Sequence, residues 1–187
     1  PSDDDDNGAI RYASEEGHYE VVKLLLSDSR VDPSDDDNEA ITLASINGYS
    51  EVVELLLSDS RVDPSDNDNF AIRRASKNGH YEVVKLLLSD SRVDPSDDDN
   101  QAIRFASRDG HLEVVKLLLS DSRVDPSSRN NFAIRFASRD GHLEVIKLLL
   151  NDSRVDHSAD YIRAIIAPSE NGHYEVVKLL LSDSRVD

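Results

Sequence analysis

The chain has 187 residues, a formal net charge of −17 and a sequence pI near 4.6. Because an anionic chain repels phosphate groups, nucleic acids and anionic membrane surfaces are not expected partners. Its apolar runs are too short for a transmembrane helix. The absence of cysteine excludes disulfides, thiolate metal sites and cysteine nucleophiles. It leaves the compartment open, with the cytoplasm favoured.

An internal repeat organises the whole sequence. Six glycines are each 31 residues apart, namely Gly17, Gly48, Gly79, Gly110, Gly141 and Gly172. The blocks that they mark fill the chain without a linker, and each unit of such a protein buries its apolar face against its neighbours. We therefore predict one array over 1–187, with repeats at 1–32, 33–63, 64–94, 95–125, 126–156 and 157–187.

The second block shows the elements of one repeat in chain order. "PSDDDN" predicts a turn that ends in Asn38, a residue suited to cap the next helix. "EAITLASIN" predicts helix one, with Ile41 and Ala44 at helical spacing, and Gly48 predicts a left-handed C-cap. "SEVVELLL" predicts helix two. Its buried face is expected to comprise Val52, Val53, Leu56 and Leu57.

The motifs resemble those of a known family. "NGHYEVVKLLL" and "DGHLEVVKLLL" resemble the second half of an ankyrin repeat, and "AIRFAS" overlaps the position of that family's T-P-L-H-x-A motif. The resemblance implies an all-α, ankyrin-type helical solenoid of six stacked helix-turn-helix repeats. This short form, with its proline-containing loops, resembles ankyrin arrays of amoebae, other protists and their large DNA viruses.

The chain also departs from the family pattern. Its period is 31 residues, against about 33 in the family. The glycine that follows helix two in the family is missing, so we expect compact turns in place of β-hairpin fingers. The histidine of the family's first-helix motif is replaced by Arg11, Thr42, Arg73, Arg104, Arg135 and Ile166.

Two recurring residue types raise the question of metal binding. Asp35 and Asp37 begin an Asp-x-Asp pattern, but Ala40 and Ile46 stand where an EF-hand loop needs glycine and glutamate. We expect the aspartates to solvate the turn and to favour the positive end of the next helix, with loose divalent binding as the alternative. The histidines share one slot in stacked repeats, too far apart to bind one ion together: His18, His80, His111, His142 and His173. We expect them to be turn residues that orient helix two, and we expect His157, in a loop, to face solvent. No metal or cofactor site is predicted.

Variable positions are the better guide to function, because residues found in every block are usually structural. All four phenylalanines fall in two variable columns of helix one, which in the ankyrin family lie on the concave, partner-binding surface. Arginine and aromatic residues are typical of interface hot spots. The candidate partner-binding residues are Phe70, Arg74, Lys77, Phe105, Arg108, Phe132, Phe136 and Arg139. Equally supported is a structural alternative, in which the rings pack between blocks and the basic residues neutralise nearby aspartates.

The sixth block is irregular and the outer blocks are not. Pro168 stands where the other blocks have alanine, so a kinked, shortened or shifted helix one is expected there. The first and last blocks match the internal ones and lack a polar outer face. This pattern favours either a segment of a longer array or subunits that stack head to tail into filaments.

The sequence contains no pattern of catalytic groups, neither a phosphate loop nor G-x-S-x-G. We therefore predict no enzyme and no catalytic residue. The leading hypothesis is a non-catalytic scaffold that binds a protein partner on the concave surface of helix one and the loops. The alternative is a structural repeat protein that self-associates.

Overall fold

A computed structural model describes residues 7–155 and 161–183, with the backbone alone at 161–163. The described residues form α-helices and no β-strand, which confirms the all-α prediction and the compact turns. The helices are α1 (Gly8–Glu15), α2 (Tyr19–Leu26), α3 (Asp35–Asn47), α4 (Ser50–Leu57), α5 (Asp66–Asn78), α6 (Tyr81–Ser89), α7 (Asp97–Arg108), α8 (Leu112–Leu119), α9 (Ser128–Asp140), α10 (Leu143–Leu150), α11 (Tyr161–Glu170) and α12 (Tyr174–Leu181). Odd-numbered helices are helix one of a repeat and even-numbered helices are helix two. His157 lies outside the described residues.

The chain forms two compact units, Pro1–Pro95 and Ser96–Asp187. In the first unit α3 packs against α1 and α5, while α4 packs against α2 and α6. In the second unit α9 packs against α7 and α11, and α10 packs against α8 and α12. Each unit is therefore two layers of stacked helices, one layer of each kind. A single array over the whole chain stays a prediction.

Apolar side chains between these layers hold each helix pair together. Val52, Val53 and Leu56 of α4 are at most 1% exposed, as predicted, whereas Leu57 is partly exposed. Ile41 and Ala44 of α3 are equally buried. Full burial of one valine, leucine or isoleucine side chain contributes roughly 1.5–3 kcal/mol to stability. These short helices are thus stabilised by packing rather than by their own propensity.

Gly48 ends α3 in the left-handed conformation, with φ at 81°, as predicted. The next residue, Tyr49, occupies the N-cap position of α4, and histidines occupy it before the other even-numbered helices. The His80 ring lies directly over Gly48 of the preceding repeat, where its Nδ1 would be 2.5 Å from a Cβ atom on that glycine. The Nε2 group of His80 is 2.8 Å from the Ile46 carbonyl oxygen and donates to it. The histidine thus joins two repeats.

The segments given above as α3, α5, α7 and α9 begin with a left-handed turn, which sequence analysis did not predict, and the right-handed helix starts after it. Asp36, Asp37 and Asn38 have φ angles of 50°, 54° and 58°. The same conformation recurs at 67–69, 98–100 and 129–131, and every residue in it except Arg129 is Asp or Asn. Most L-residues adopt this backbone only at a cost, and Asp and Asn adopt it most readily. Backbone geometry therefore explains why these two residue types accumulate in the turn.

The predicted N-cap role of Asn38 is wrong. The side chain of Asn38 bonds the next repeat instead of the first turn of its own helix. Its Oδ1 accepts from the backbone N–H of Asp63 (2.7 Å), and its Nδ2 donates to Asp66 (2.9 Å). In the second unit, Oδ1 of Asn100 likewise accepts from the N–H of Asp125 (2.6 Å). The asparagine is a buried joint between repeats.

An aspartate–arginine pair closes the loop after helix two. Arg92 donates to Asp90 from Nε (3.0 Å), from Nη2 (2.7 Å) and from its backbone N–H (3.0 Å). The side-chain hydrogen bond is the main reason why the pKa of Asp90 lies below its ordinary value. Arg92 also donates from Nη1 to the Val62 carbonyl of the preceding repeat (2.7 Å). The loop after helix two therefore joins adjacent repeats.

Pro168 lies inside α11 and is buried there. The helix continues beyond it to Glu170. Proline has no N–H to bond the preceding turn, so this helix lacks one backbone hydrogen bond of its counterparts.

Candidate functional site

In the first unit, the predicted binding residues Phe70, Arg74 and Lys77 lie on α5 and are partly exposed. The guanidinium carbon of Arg74 is 5.2 Å from the centre of the Phe70 ring, and that of Arg73 is 5.3 Å away. Cations at this distance are attracted to the face of an aromatic ring. Phe70 and Arg74 therefore form one partly exposed surface on helix one, beside the buried Arg73.

In the second unit, three predicted residues form an aromatic cluster across two repeats. The Phe132 and Phe136 rings on α9 are stacked, with centres 3.9 Å apart and planes at 17°. Phe105 on α7 is tilted against Phe132, with ring centres 6.2 Å apart. All three side chains are partly exposed. The cluster thus connects neighbouring helices and still presents aromatic surface to solvent.

Arg108 and Arg139 cover this cluster in the same way in successive repeats. The guanidinium carbon of Arg108 is 4.5 Å from the Phe105 ring centre, and that of Arg139 is 4.5 Å from the Phe136 ring centre. Each arginine donates from Nε (2.7 Å) and Nη2 (2.8 Å) to the aspartate that follows it in sequence. We call each Phe–Arg–Asp set a platform: one is Phe105, Arg108 and Asp109, and the other is Phe136, Arg139 and Asp140.

The paired carboxylates fix the charge of the platforms. Hydrogen bonds to Asp109 and Asp140 raise the pKa values of Arg108 and Arg139 respectively. The side-chain hydrogen bond from Arg139 lowers the pKa of Asp140. Both partners therefore stay ionised over the physiological pH range, and a bidentate bond holds each guanidinium over its ring.

The sequence agrees with this helical geometry. The family profile described as "Ankyrin repeats (3 copies)" matches residues 10–99, 41–130 and 103–187. The chain belongs to the ankyrin-repeat family. No curated protein matches it. Ankyrin repeats are in general protein–protein interaction modules, and proteins built from them are typically non-catalytic.

In the second unit, the structure explains why arginine replaces the histidine of the ankyrin first-helix motif. Arg104 stands there and is only 7% exposed. It donates from Nε to the Asp99 carbonyl (2.9 Å) and from Nη2 to the Asp98 carbonyl (2.8 Å), both in the left-handed turn. Arg73 and Arg135 donate to the corresponding turns of their own repeats. The arginine therefore satisfies carbonyl groups of a turn that this variant of the ankyrin repeat contains.

Arg104 also belongs to the aromatic cluster, which sequence analysis missed. Its guanidinium carbon is 5.2 Å from the Phe132 ring centre and 5.6 Å from that of Phe105. Burial lowers its pKa, and the nearby charge of Arg129 lowers it further. The signal available in the sequence was the coincidence of arginine in this slot with an Asp- and Asn-rich turn in the same repeat.

The phenylalanines of these ankyrin repeats show features of both the partner-binding hypothesis and the structural alternative. The contact between Phe105 and Phe132 joins neighbouring repeats, and Arg108 neutralises Asp109, as the structural alternative requires. The same rings stay partly exposed beside oriented guanidinium groups, as the binding hypothesis requires. Partner binding by the eight candidate residues stays a prediction.

Two further observations concern the described part of the ankyrin array. Among residues 7–155 and 161–183, no three His, Asp or Glu side chains are grouped so that they could hold a metal ion. None of the helices there combines the length and apolarity that a membrane-spanning segment needs.

Proposed function

We propose that the chain is a non-catalytic scaffold that binds a protein partner through the helix-one and loop surface. The partner would contact the eight predicted residues, which are Phe70, Arg74, Lys77, Phe105, Arg108, Phe132, Phe136 and Arg139. The general role of ankyrin repeats as interaction modules supports this assignment. We further propose that the six repeats form a single array.

The observation that carries the proposal is the aromatic cluster of the second unit. Phe105, Phe132 and Phe136 are partly exposed, and each is in contact with at least one arginine. Aromatic residues and arginine dominate the hot spots of protein interfaces. Because ring stacking and bidentate ion pairs already orient these side chains, little rotamer entropy would be lost on binding.

The proposal is tested by affinity capture from a cell lysate, with quantitative mass spectrometry, on the chain and on the double variant Phe105→Ala/Phe136→Ala. We expect the captured partner to be lost, because truncation removes both rings and the support of two arginines. Tyr81→Ala is a matched control, because Tyr81 is a partly exposed aromatic residue on helix two of its repeat. Capture of the same proteins by the double variant would refute the proposal.

A second candidate function, self-association, is favoured by a different observation. Val21 of α2 is 47% exposed, whereas its counterparts Val52 and Val83 in the next repeats are 1% exposed. Leu181 of α12 is 69% exposed, whereas its counterpart Leu150 is 5% exposed. These two apolar side chains are thus more exposed in the first and sixth repeats than their counterparts in the repeat beside them, and a second copy of the chain would cover them.

Light scattering over a range of protein concentrations tests this candidate. Stacking predicts that the average mass rises with concentration and that Leu181→Asp abolishes the rise. Leu24, which is 71% exposed in the first repeat, offers the complementary substitution Leu24→Asp. A chain that stays monomeric throughout, with or without these changes, would rule out head-to-tail assembly.

A further inference from the structure

The two platforms of the second unit have unused hydrogen-bonding capacity. Asp109 and Asp140 occupy the Nε and Nη2 groups of Arg108 and Arg139. Neither Nη1 group makes a hydrogen bond within the described residues, and the two arginine side chains are 26% and 43% exposed. A guanidinium carries more N–H groups than one carboxylate can accept. Each platform therefore presents an oriented cationic edge.

The platforms are spaced by one repeat. Arg108 and Arg139 occupy the same slot on α7 and α9, which pack against each other. Packed helices lie roughly 8–10 Å apart, so the two cationic edges are separated by about that distance. The Phe132 ring contacts the aromatic ring of each platform, so the three rings form a continuous apolar surface between the two arginines.

The charge around the platforms favours an anion. The first turn of α9 contains no acidic residue, whereas α7 begins with three aspartates. Arg104 lies beneath the cluster, buried and within the field of Arg129. An anion at this surface would offset the cost of that buried cation.

We infer that the two platforms bind a partner's acidic, proline-containing segment, which adopts the polyproline II conformation. This inference rests on the proposed function. Two carboxylates three residues apart would each bind one guanidinium edge, and the prolines between them would pack against the parts of the phenylalanine rings that stay exposed. Three residues of polyproline II advance about 9 Å and complete one turn, so both carboxylates lie on one face at the required spacing. In a β-strand, residues three apart point to opposite faces. Aromatic surfaces recognise this conformation in other proteins because its ordering cost is already low.

The inference is tested by fluorescence anisotropy with the full chain and labelled peptides that contain Glu-Pro-Pro-Glu. We expect saturable binding that weakens with salt, since exposed charges are screened. Replacing either glutamate with glutamine should lower the affinity roughly tenfold, because a charge-assisted hydrogen bond is lost. Glu-Pro-Pro-Pro-Glu, whose carboxylates lie on different faces, should bind as weakly as the glutamine peptide.

Protein variants test the same contact from the other side. Arg108→Gln/Arg139→Gln should abolish binding of the Glu-Pro-Pro-Glu peptide. Arg30→Gln/Arg123→Gln is the matched control, because it removes two arginines that also pair with nearby aspartates, and binding should be retained. Because the peptide series needs no change in the protein, its result stands even where a variant unfolds.

The outcomes separate this inference from the proposed function. Equal binding of all the peptides, or no binding, overturns the inference. Tighter binding of a phosphoserine peptide of the same spacing overturns the assignment to carboxylates. If the peptides fail while Phe105→Ala/Phe136→Ala still loses a captured partner, the scaffold proposal stands and the inference alone is wrong. If that double variant captures the same proteins, the scaffold proposal itself is refuted.

Discussion

The contact between His80 and Gly48 makes a quantitative prediction about the junction between the second and third repeats. Gly48 has φ at 81°, and an added Cβ would lie 2.5 Å from Nδ1 of His80. Gly48→Ala should therefore cost about 1–2 kcal/mol for the left-handed backbone. Displacement of the ring should also break its 2.8 Å hydrogen bond to Ile46, which adds about 0.5–1.5 kcal/mol.

A double-mutant cycle separates the two contributions. The free energy of unfolding is measured by urea denaturation for the chain, for Gly48→Ala, for His80→Ala and for the double variant. In the His80→Ala background the ring is absent, so Gly48→Ala should cost only the backbone contribution. The double variant should therefore be destabilised by about 0.5–1.5 kcal/mol less than the sum of the two single variants, because both single changes lose the same hydrogen bond.

Gly172 provides a matched position without the clash. Its φ is 75°, and an added Cβ would have no atom within 4 Å. Gly172→Ala should accordingly show the backbone cost alone. If the changes at Gly48 and His80 are additive, and if Gly48→Ala costs no more than Gly172→Ala, the proposed coupling through the histidine ring is incorrect.

Three other predictions concern single contacts. Asp90→Asn should lower the free energy of unfolding by roughly 1–2 kcal/mol at neutral pH. Since Arg92 holds the pKa of Asp90 below its unfolded-state value, this contribution is present above about pH 4 and is lost as pH falls through the folded-state pKa. The exposed control Glu82→Gln should show no such difference, and an Asp90 effect independent of pH would contradict the argument. Ser107→Ala should leave the free energy of unfolding unchanged or raise it by up to about 1 kcal/mol, because the buried Oγ has no hydrogen-bond partner among the described residues. A clear loss of stability in urea denaturation would show that the hydroxyl is bonded. Asn38→Gly keeps the positive φ and removes only the side chain, so hydrogen exchange at the Asp63 amide should accelerate, and unchanged protection there would exclude the inter-repeat bond.

Local chemistry explains which parts of the fold could be predicted. Gly48 was identified as a left-handed cap because glycine adopts positive φ freely, and α4 was identified because its apolar residues recur at helical spacing. Burial of Val52 and Leu56 followed from the same pattern. These properties depend on a residue and its sequence neighbours, so one repeat contains all the necessary information.

Contacts between repeats were not predictable in the same way. Asparagine is a residue type that commonly caps helices, yet the side chain of Asn38 bonds the next repeat. An arginine in a loop is expected to face solvent, yet Arg92 bonds the Val62 carbonyl. A perfectly periodic sequence does not reveal whether a side chain contacts its own repeat or an adjacent one. Burial of Arg104 was missed for a related reason, because the carbonyl groups that satisfy it exist only once the turn is left-handed.

The candidate site was predicted as columns of residue types rather than as a geometry. Variation between blocks singled out Phe105, Phe132 and Phe136, and the structure places these three in contact. The structural alternative predicted that basic residues neutralise nearby aspartates, but it did not predict the bidentate geometry of Arg108 with Asp109. In repeats with asparagine at that position, such as Asn78, the amide instead bonds a carbonyl of the preceding repeat.

The bonds of His80, Arg92 and Asn78 share a property with consequences for how such a protein changes over evolutionary time. In each case a side chain of the later repeat binds a main-chain carbonyl of the earlier one. Main-chain carbonyls are present whatever residue the neighbour carries, so these bonds would survive when repeats are duplicated, deleted or exchanged. The outward positions of helix one can then diversify, copy by copy, without altering the bonds that hold adjacent copies together.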